Sequence, residues 1–290
     1  MDLNLILVCV VIVVALFFSY TNGFHDAANA IATSVSTRAW TPRAALLMAA
    51  TMNVIGAMMG TAVAKTVGKG IISISDYAES PLPEMQQKGL VIILAALLGA
   101  CIWNLITWWF GLPSSSSHAL IGGMVGAGLL SGTMVHWWGI MSHVVIPMFA
   151  SPIIGFVIGY FVMKLVLWLL RNAQYHRTMR RFRAAQRFSS AAMALGHGIQ
   201  DAQKTMGIIV MALLAGGYGE THNILDPITG EMNVPLWVKI SGALAISLGT
   251  MAGGGRIMRT IGRKIIDLDP ARGFTAEAVS ASILYLCSYV

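Results

Sequence analysis

Five stretches of this chain, residues 3–20, 44–64, 89–110, 138–170 and 236–252, are apolar almost without interruption. Each is near or above the roughly 17–25 residues needed to cross a bilayer. No other feature restricts the fold so severely, because a soluble domain has no interior large enough for so many such segments. Charged residues make up only 11% of the chain, against about 25% in ordinary soluble domains. The expected fold is an all-α integral membrane protein. The Gly and Pro residues inside several runs fit that reading, since membrane helices tolerate them. The first run is too long for a secretory signal, and it carries Asp2 and no Lys or Arg before it.

Charge sets the orientation. Residues 171–187 hold six arginines and no acid, so they are expected in the cytoplasm. Residues 218–235 carry Glu220, Asp226 and Glu231 with no Lys or Arg, and are expected outside. Counting back places the N-terminus outside the cytoplasm, in the plasma (inner) membrane, and requires residues 90–131 to leave and re-enter the same face. A re-entrant helical hairpin turning at Gly111-Leu112-Pro113 satisfies this. The net charge of +7 then reflects basic cytoplasmic loops, and neither a nucleic-acid partner nor any partner beyond membrane lipid is needed to explain it. Cys9, Cys101 and Cys287 lie at unrelated spacings in apolar runs, unlike a disulfide or metal framework.

The chain repeats itself. Asp26-Ala27 recurs as Asp201-Ala202, and Lys65-Thr66-Val67-Gly68-Lys69-Gly70-Ile71-Ile72 matches Arg259-Thr260-Ile261-Gly262-Arg263-Lys264-Ile265-Ile266. The charge count puts the two copies of the second motif on opposite faces, so the halves run in opposite directions. Inverted repeats with broken helices mark secondary transporters that bind substrate near the membrane midplane. The expected organisation is a first repeat over 1–170 with its hairpin around 90–131, a basic cytoplasmic loop over 171–188, and a second, inverted repeat over 189–290.

Asp26 lies in an apolar stretch from 3 to 35, interrupted by Asn22-Gly23. A carboxylate at membrane depth costs about 3 kcal/mol on insertion scales and normally marks an ion path. Asp201 follows Gly196 and Gly198, which are expected to let the helix unwind. Lys204, in the same segment, can neutralise Asp201 or contact an anion. Glu277 lies in the apolar run 274–290 and needs a partner if buried. The run Pro113-Ser114-Ser115-Ser116-Ser117-His118 stands between two apolar segments and suits a helix N-terminus, whose free N–H groups attract anions. His197 stands one turn before Asp201, a spacing that can hold a metal; for His25, His118 and His197 a structural hydrogen bond is the expected role. No nucleophile or interfacial metal cluster of a lipid-phosphate enzyme is visible, so no enzyme is expected.

Together these residues resemble the inorganic phosphate transporter family of phosphate:cation symporters. The resemblance rests on Gly23-Phe24-His25-Asp26-Ala27-Ala28-Asn29-Ala30, Gly111-Leu112-Pro113-Ser114-Ser115-Ser116-Ser117-His118 and Gly196-His197-Gly198-Ile199-Gln200-Asp201-Ala202-Gln203-Lys204. It implies an inverted-repeat fold with two re-entrant hairpins and symport of phosphate with H⁺ or Na⁺, and no other cofactor. It also implies Asn29, Ser114, Ser115, Ser116, Ser117 and Gln203 as substrate ligands, joined by Lys204. Asp26 and Asp201, with Glu277, are the expected cation-binding or proton-coupling groups; Na⁺ at Asp26 and Asp201 is the only metal implied. Gln200 stands where the family usually has Asn. The family's second Pro-Ser/Thr-His hairpin is not found before Val290, so the second repeat is expected to be incomplete. Delivery of phosphate as a metal complex and assembly as a homodimer stay open. So do a sulfate or other oxyanion carrier of the same architecture and a truncated, non-transporting membrane protein.

Electrostatics gives its own reason for symport. A phosphate near two carboxylates is repelled by about 4 kcal/mol per unit pair at ~4 Å and an effective dielectric of ~20. A helix N-terminus offsets about 0.3–2 kcal/mol. Cations or protons must therefore enter with the anion.

Overall fold

The computed structural model describes residues 2–60, 77, 80, 82–219, 221–222, 224, 233–253, 255, 257–258, 260 and 268–289, the last three by backbone alone. Its helices are α1 (Leu3–Ser36), α2 (Pro42–Met58), α3 (Pro83–Phe110), α4 (Ser116–Ser131), α5 (Trp137–Leu169), α6 (Tyr175–Ala215), α7 (Leu236–Ala252) and α8 (Pro270–Tyr289). Local chemistry sets many of their ends. Asp2 caps α1 by accepting from the Asn4 N–H, and Thr41 caps α2 just before Pro42. Gly111, at φ 65°, closes α3 in the left-handed conformation that glycine adopts without strain. Among the described residues α1, α3 and α5 are long and apolar enough to span a bilayer. The chain is an all-helical membrane protein, as its sequence leads one to expect.

Contacts along α1 set the directions of its neighbours. Against α6, Val8 faces Gly216, Asp26 faces His197, and the Thr37 hydroxyl donates to Gln186 (2.6 Å), so the two helices run antiparallel. Against α3, Asn4 pairs with Gln86, Thr21 with Asn104 and His25 with Thr107, so those two run parallel. The helix α4 folds back along α3, where Gly123 packs on the Ala96 backbone. By that register Phe110 lies alongside Ala28, so the turn between α3 and α4 stops short of the Ser36 end of α1. A π-type turn over Met141–Val145 interrupts α5, which has no buried residue and meets α8 near Gly155 and Ile283.

Two pairs of helices touch backbone to backbone. A Cβ on Gly23 of α1 would fall 2.2 Å from the Ile246 carbonyl oxygen, and one on Gly249 of α7 would fall 2.1 Å from that of Tyr20. Equivalently, Gly198 of α6 lies against Asn53 (2.5 Å) and Gly56 of α2 against Leu195 (2.3 Å). This corrects the expectation that Asn22-Gly23 and the glycines before Asp201 break their helices. Both α1 and α6 run through without interruption, because these glycines remove the side chains that would hold neighbouring helices apart. Gly196 does the same for Leu284 of α8, which a Cβ would meet at 2.2 Å.

A second difference concerns the basic stretch 171–188. It is loop only to Gln174, and from Tyr175 it forms the first turns of the 41-residue α6. Its arginines have helix propensities close to the best, and no Pro or Gly interrupts them. The Lys65–Ile72 copy of the second repeat motif lies outside the described residues, as do Glu220, Asp226 and Glu231; of the later copy only Thr260 is described.

Candidate substrate and ion site

Because α1 and α6 are antiparallel and meet near their middles, Asp26 and Asp201 arrive at one place from two helices. Both are buried. Between them stands His197, whose Nε2 lies 2.8 Å from Asp201 Oδ2 and 4.0 Å from Asp26 Oδ2. The other ring nitrogen, Nδ1, lies 3.2 Å from Asn53 Oδ1 on α2, which orients the ring. Asp26 Oδ1 accepts from the Asn29 amide (3.2 Å) and lies 3.2 Å from Nδ1 of His25. The far side of His25 meets the Thr107 hydroxyl of α3 at 2.9 Å. One ligand atom from each of Asp26, His197 and Asp201 falls within 4.8 Å of the others, close enough to share a cation.

The hairpin tip closes over this floor. Ser115 caps α4 by accepting from the His118 N–H (3.2 Å), so the helix begins at Ser116. Pro113 therefore precedes the cap instead of opening the first turn. Lys204 of α6 joins the two parts, its ammonium donating both to Asp201 Oδ1 and to the Ser117 hydroxyl. Thr260 holds the tip from another direction by donating to the Gly111 carbonyl (2.9 Å). The open cavity between tip and floor measures about 480 Å³ and is lined by Asp26, Asn29, Ser114, Ser115, Ser117, His197, Asp201 and Lys204, among others. That volume is within the usual range for small-ligand pockets.

Three of the expected residues lie elsewhere. Ser116 is fully buried behind the tip. Gln203 is buried against Gly60, on the face of α6 turned toward α2. Glu277 sits in a separate cluster nearer the basic end of the bundle. It accepts from the Thr33 hydroxyl of α1 and, on α6, from the Gln186 amide (3.0 Å) and the Ser189 hydroxyl (2.6 Å). His118 points to the opposite side of the tip, toward Trp103.

Other residues matter more than their sequence context suggests. His197 was expected to make a structural hydrogen bond, yet its Nε2 stands within 4.0 Å of both carboxylates. Its spacing from Asp201 was visible; its approach to Asp26 depends on a crossing 171 residues apart in sequence. Asn53 and Thr107, which hold the two imidazoles, carry no local signal at all. Gln200 also lines the cavity and donates to the Leu284 carbonyl (3.1 Å).

Residues 22–290 match the sequence pattern described as the Phosphate transporter family. A relative in Bacillus subtilis, named a probable low-affinity inorganic phosphate transporter, is 40% identical over 292 residues, covering 100% of this chain and 82% of that protein. One of the same name in Rhizobium meliloti is 43% identical over 285 residues, covering 96% and 78%. Another, in Mycobacterium leprae, is 40% identical and is covered over 66% of its own length. Among solved structures, one titled "The sodium-dependent phosphate transporter" superposes with a TM-score of 0.81 over 97% of this chain and 84% of that one. At 23% identity that match establishes the shared fold.

Proposed function

The chain belongs to the phosphate transporter family, and from that premise we propose that it carries inorganic phosphate across the plasma membrane by symport with a cation, a proton in preference to sodium. The observation that carries this reading is the His197 imidazole standing between the carboxylates of Asp26 and Asp201 on the floor of a cavity roofed by serines. Phosphate binds at the α4 N-terminus, to the hydroxyls of Ser114, Ser115 and Ser117, with Lys204 as its counter-charge. The same ammonium touches Asp201 and Ser117, so the ligand of the anion is also the partner of the carboxylate.

Charge explains the coupling. With both imidazoles neutral, two aspartates and one lysine leave the cluster at −1, and a phosphate meets net repulsion. Protonation of His197 brings the cluster to zero. Hard cations prefer oxygen ligands, whereas an imidazole between two carboxylates offers a proton two acceptors. Asn53 at Nδ1 and Thr107 at His25 keep both rings in place for the exchange.

The antiparallel run of α1 and α6 supports reading the two halves as inverted repeats, and so do the matched crossings Gly23–Gly249 and Gly198–Gly56. The basic stretch 171–188 is then cytoplasmic and the N-terminus lies outside. Substrate exchanges between faces as the halves rock about the site.

Uptake of radiolabelled phosphate by proteoliposomes tests the reading. An inward proton gradient should drive accumulation without sodium, and a hundredfold excess of sulfate should leave it unchanged. Accumulation that needs sodium and ignores the pH gradient would remove the proton assignment. Equal uptake of sulfate would replace phosphate as the substrate.

A further inference from the structure

Where α5 meets the bundle, the packing leaves a crevice of about 250 Å³ between the C-terminal turns of α5 and the first turns of α6 and α8. Its wall is apolar: Val166, Leu167 and Leu170 come from α5 and Met179 from α6. Its rim is polar, with Arg171 on the α5–α6 turn, Thr178 on α6 and Arg272 on α8. Among the described residues the one acid on the rim is Asp269, and it is engaged by its own turn: it accepts from the Arg272 N–H (2.8 Å) and lies 3.4 Å from Arg272 Nε. Arg171 lies over the Trp168 ring (5.9 Å), and among the described residues lining the crevice no other acid faces it. The described rim therefore carries one positive charge in excess.

The apolar wall is continuous with the rest of α5, which has no buried residue over its 33-residue span. A cavity with such a wall, opening at the end of a membrane helix, fills with lipid. It is also smaller than the roughly 300 Å³ at which drug-sized ligands begin to be enclosed. We propose that this crevice binds an anionic diacyl phospholipid, its phosphodiester held by Arg171 and Arg272 at the rim and one acyl chain laid along α5. Basic pockets between membrane helices are the usual seats of anionic headgroups. The bound lipid fastens α5 to the two helices that begin at this rim, and α6 is the one that carries His197, Asp201 and Lys204. A free phosphate ion would use the same arginines but gain nothing from the apolar wall, which is why a lipid is the occupant.

Native mass spectrometry of the purified protein, after exchange into detergent with equimolar phosphatidylglycerol and phosphatidylcholine, tests this. One phosphatidylglycerol should be retained at least tenfold over phosphatidylcholine, and inorganic phosphate at 10 mM should not displace it. R171Q/R272Q should lower retention at least fivefold. R180Q/R181Q, which removes the same charge outside the crevice, should not. A173W fills the crevice from an exposed position and should exclude both lipids. Equal retention of the two lipids, equal loss in both arginine pairs, or displacement by phosphate would each overturn the proposal.

Discussion

Asp26 and Asp201 share their cavity with the Lys204 ammonium and the His197 imidazole. Glu277 lies about 10 Å further along α1, counted from Asp26 to Thr33 at 1.5 Å per residue, and it accepts from two hydroxyls and an amide. Both clusters bury carboxylates between α1 and α6. One lines a cavity and is supplied with cations; the other, among the described residues, is supplied with neutral donors. Hydrogen bonds to a charged group contribute about 1.5–3 kcal/mol each, enough to keep a carboxylate buried but not to make its charge exchangeable. Burial alone therefore does not set the two clusters apart. On the proposed function, the charged neighbours do.

The sharpest way to break this contrast is to neutralise the first cluster. Asp26→Asn and Asp201→Asn keep the shape of the side chain and remove the negative charge beside His197. Each should lower gradient-driven phosphate uptake by about a hundredfold, while surface expression stays near wild type. An unchanged rate in either variant would reduce that aspartate to a structural group. Lys204→Gln comes next, with an expected loss of about tenfold. The glutamine keeps a donor for Ser117 but cannot balance Asp201, so counterflow of phosphate at equilibrium should fall together with net uptake.

Glu277→Gln probes the second cluster and should be milder, about threefold in uptake. The amide preserves most of the contacts to Thr33, Gln186 and Ser189, and thermal unfolding in detergent should shift little. A loss as deep as that of Asp26→Asn would mean that charge also changes hands at Glu277. Thr33→Val should be the smallest in uptake, less than twofold, with about 1.5–3 kcal/mol of stability lost with its one hydrogen bond to the carboxylate. Proteoliposome flux measures the first and denaturation followed by tryptophan fluorescence the second.

Much of this architecture can be read from the residues in order, because membrane helices announce themselves by length and apolarity. The turn between α3 and α4 and the burial of Asp26 and Asp201 inside apolar helices belong to that part. What stays hidden is how polar residues inside apolar segments find partners. Asn22 and Gly23 look like a break because nothing nearby explains them, yet α1 continues to Ser36 with His25 bound to Thr107 and Thr21 to Asn104. Glycine is ambiguous in the same way: a residue that loosens a helix and one that lets two helices touch are written identically. Ser116 and Gln203 show the limit from another side. They belong to the expected motifs, but their positions on α4 and α6 turn them away from the cavity.

The glycine crossings have a mechanical consequence. Where α1 lies on α7, and α2 on α6, backbone rests on backbone, with no intervening side chain able to swing aside and absorb a displacement. Each pair behaves as a stiff beam with its joint locked. Between the beams, along the seam of α1 and α6, the contacts run instead through side chains, Asp26 facing His197 and Thr37 bonding Gln186 among them, which can part and re-form with new partners. Any shear that turns the cavity from one side of the bilayer to the other is therefore borne at that seam, and the seam is where Asp26, His197 and Asp201 stand.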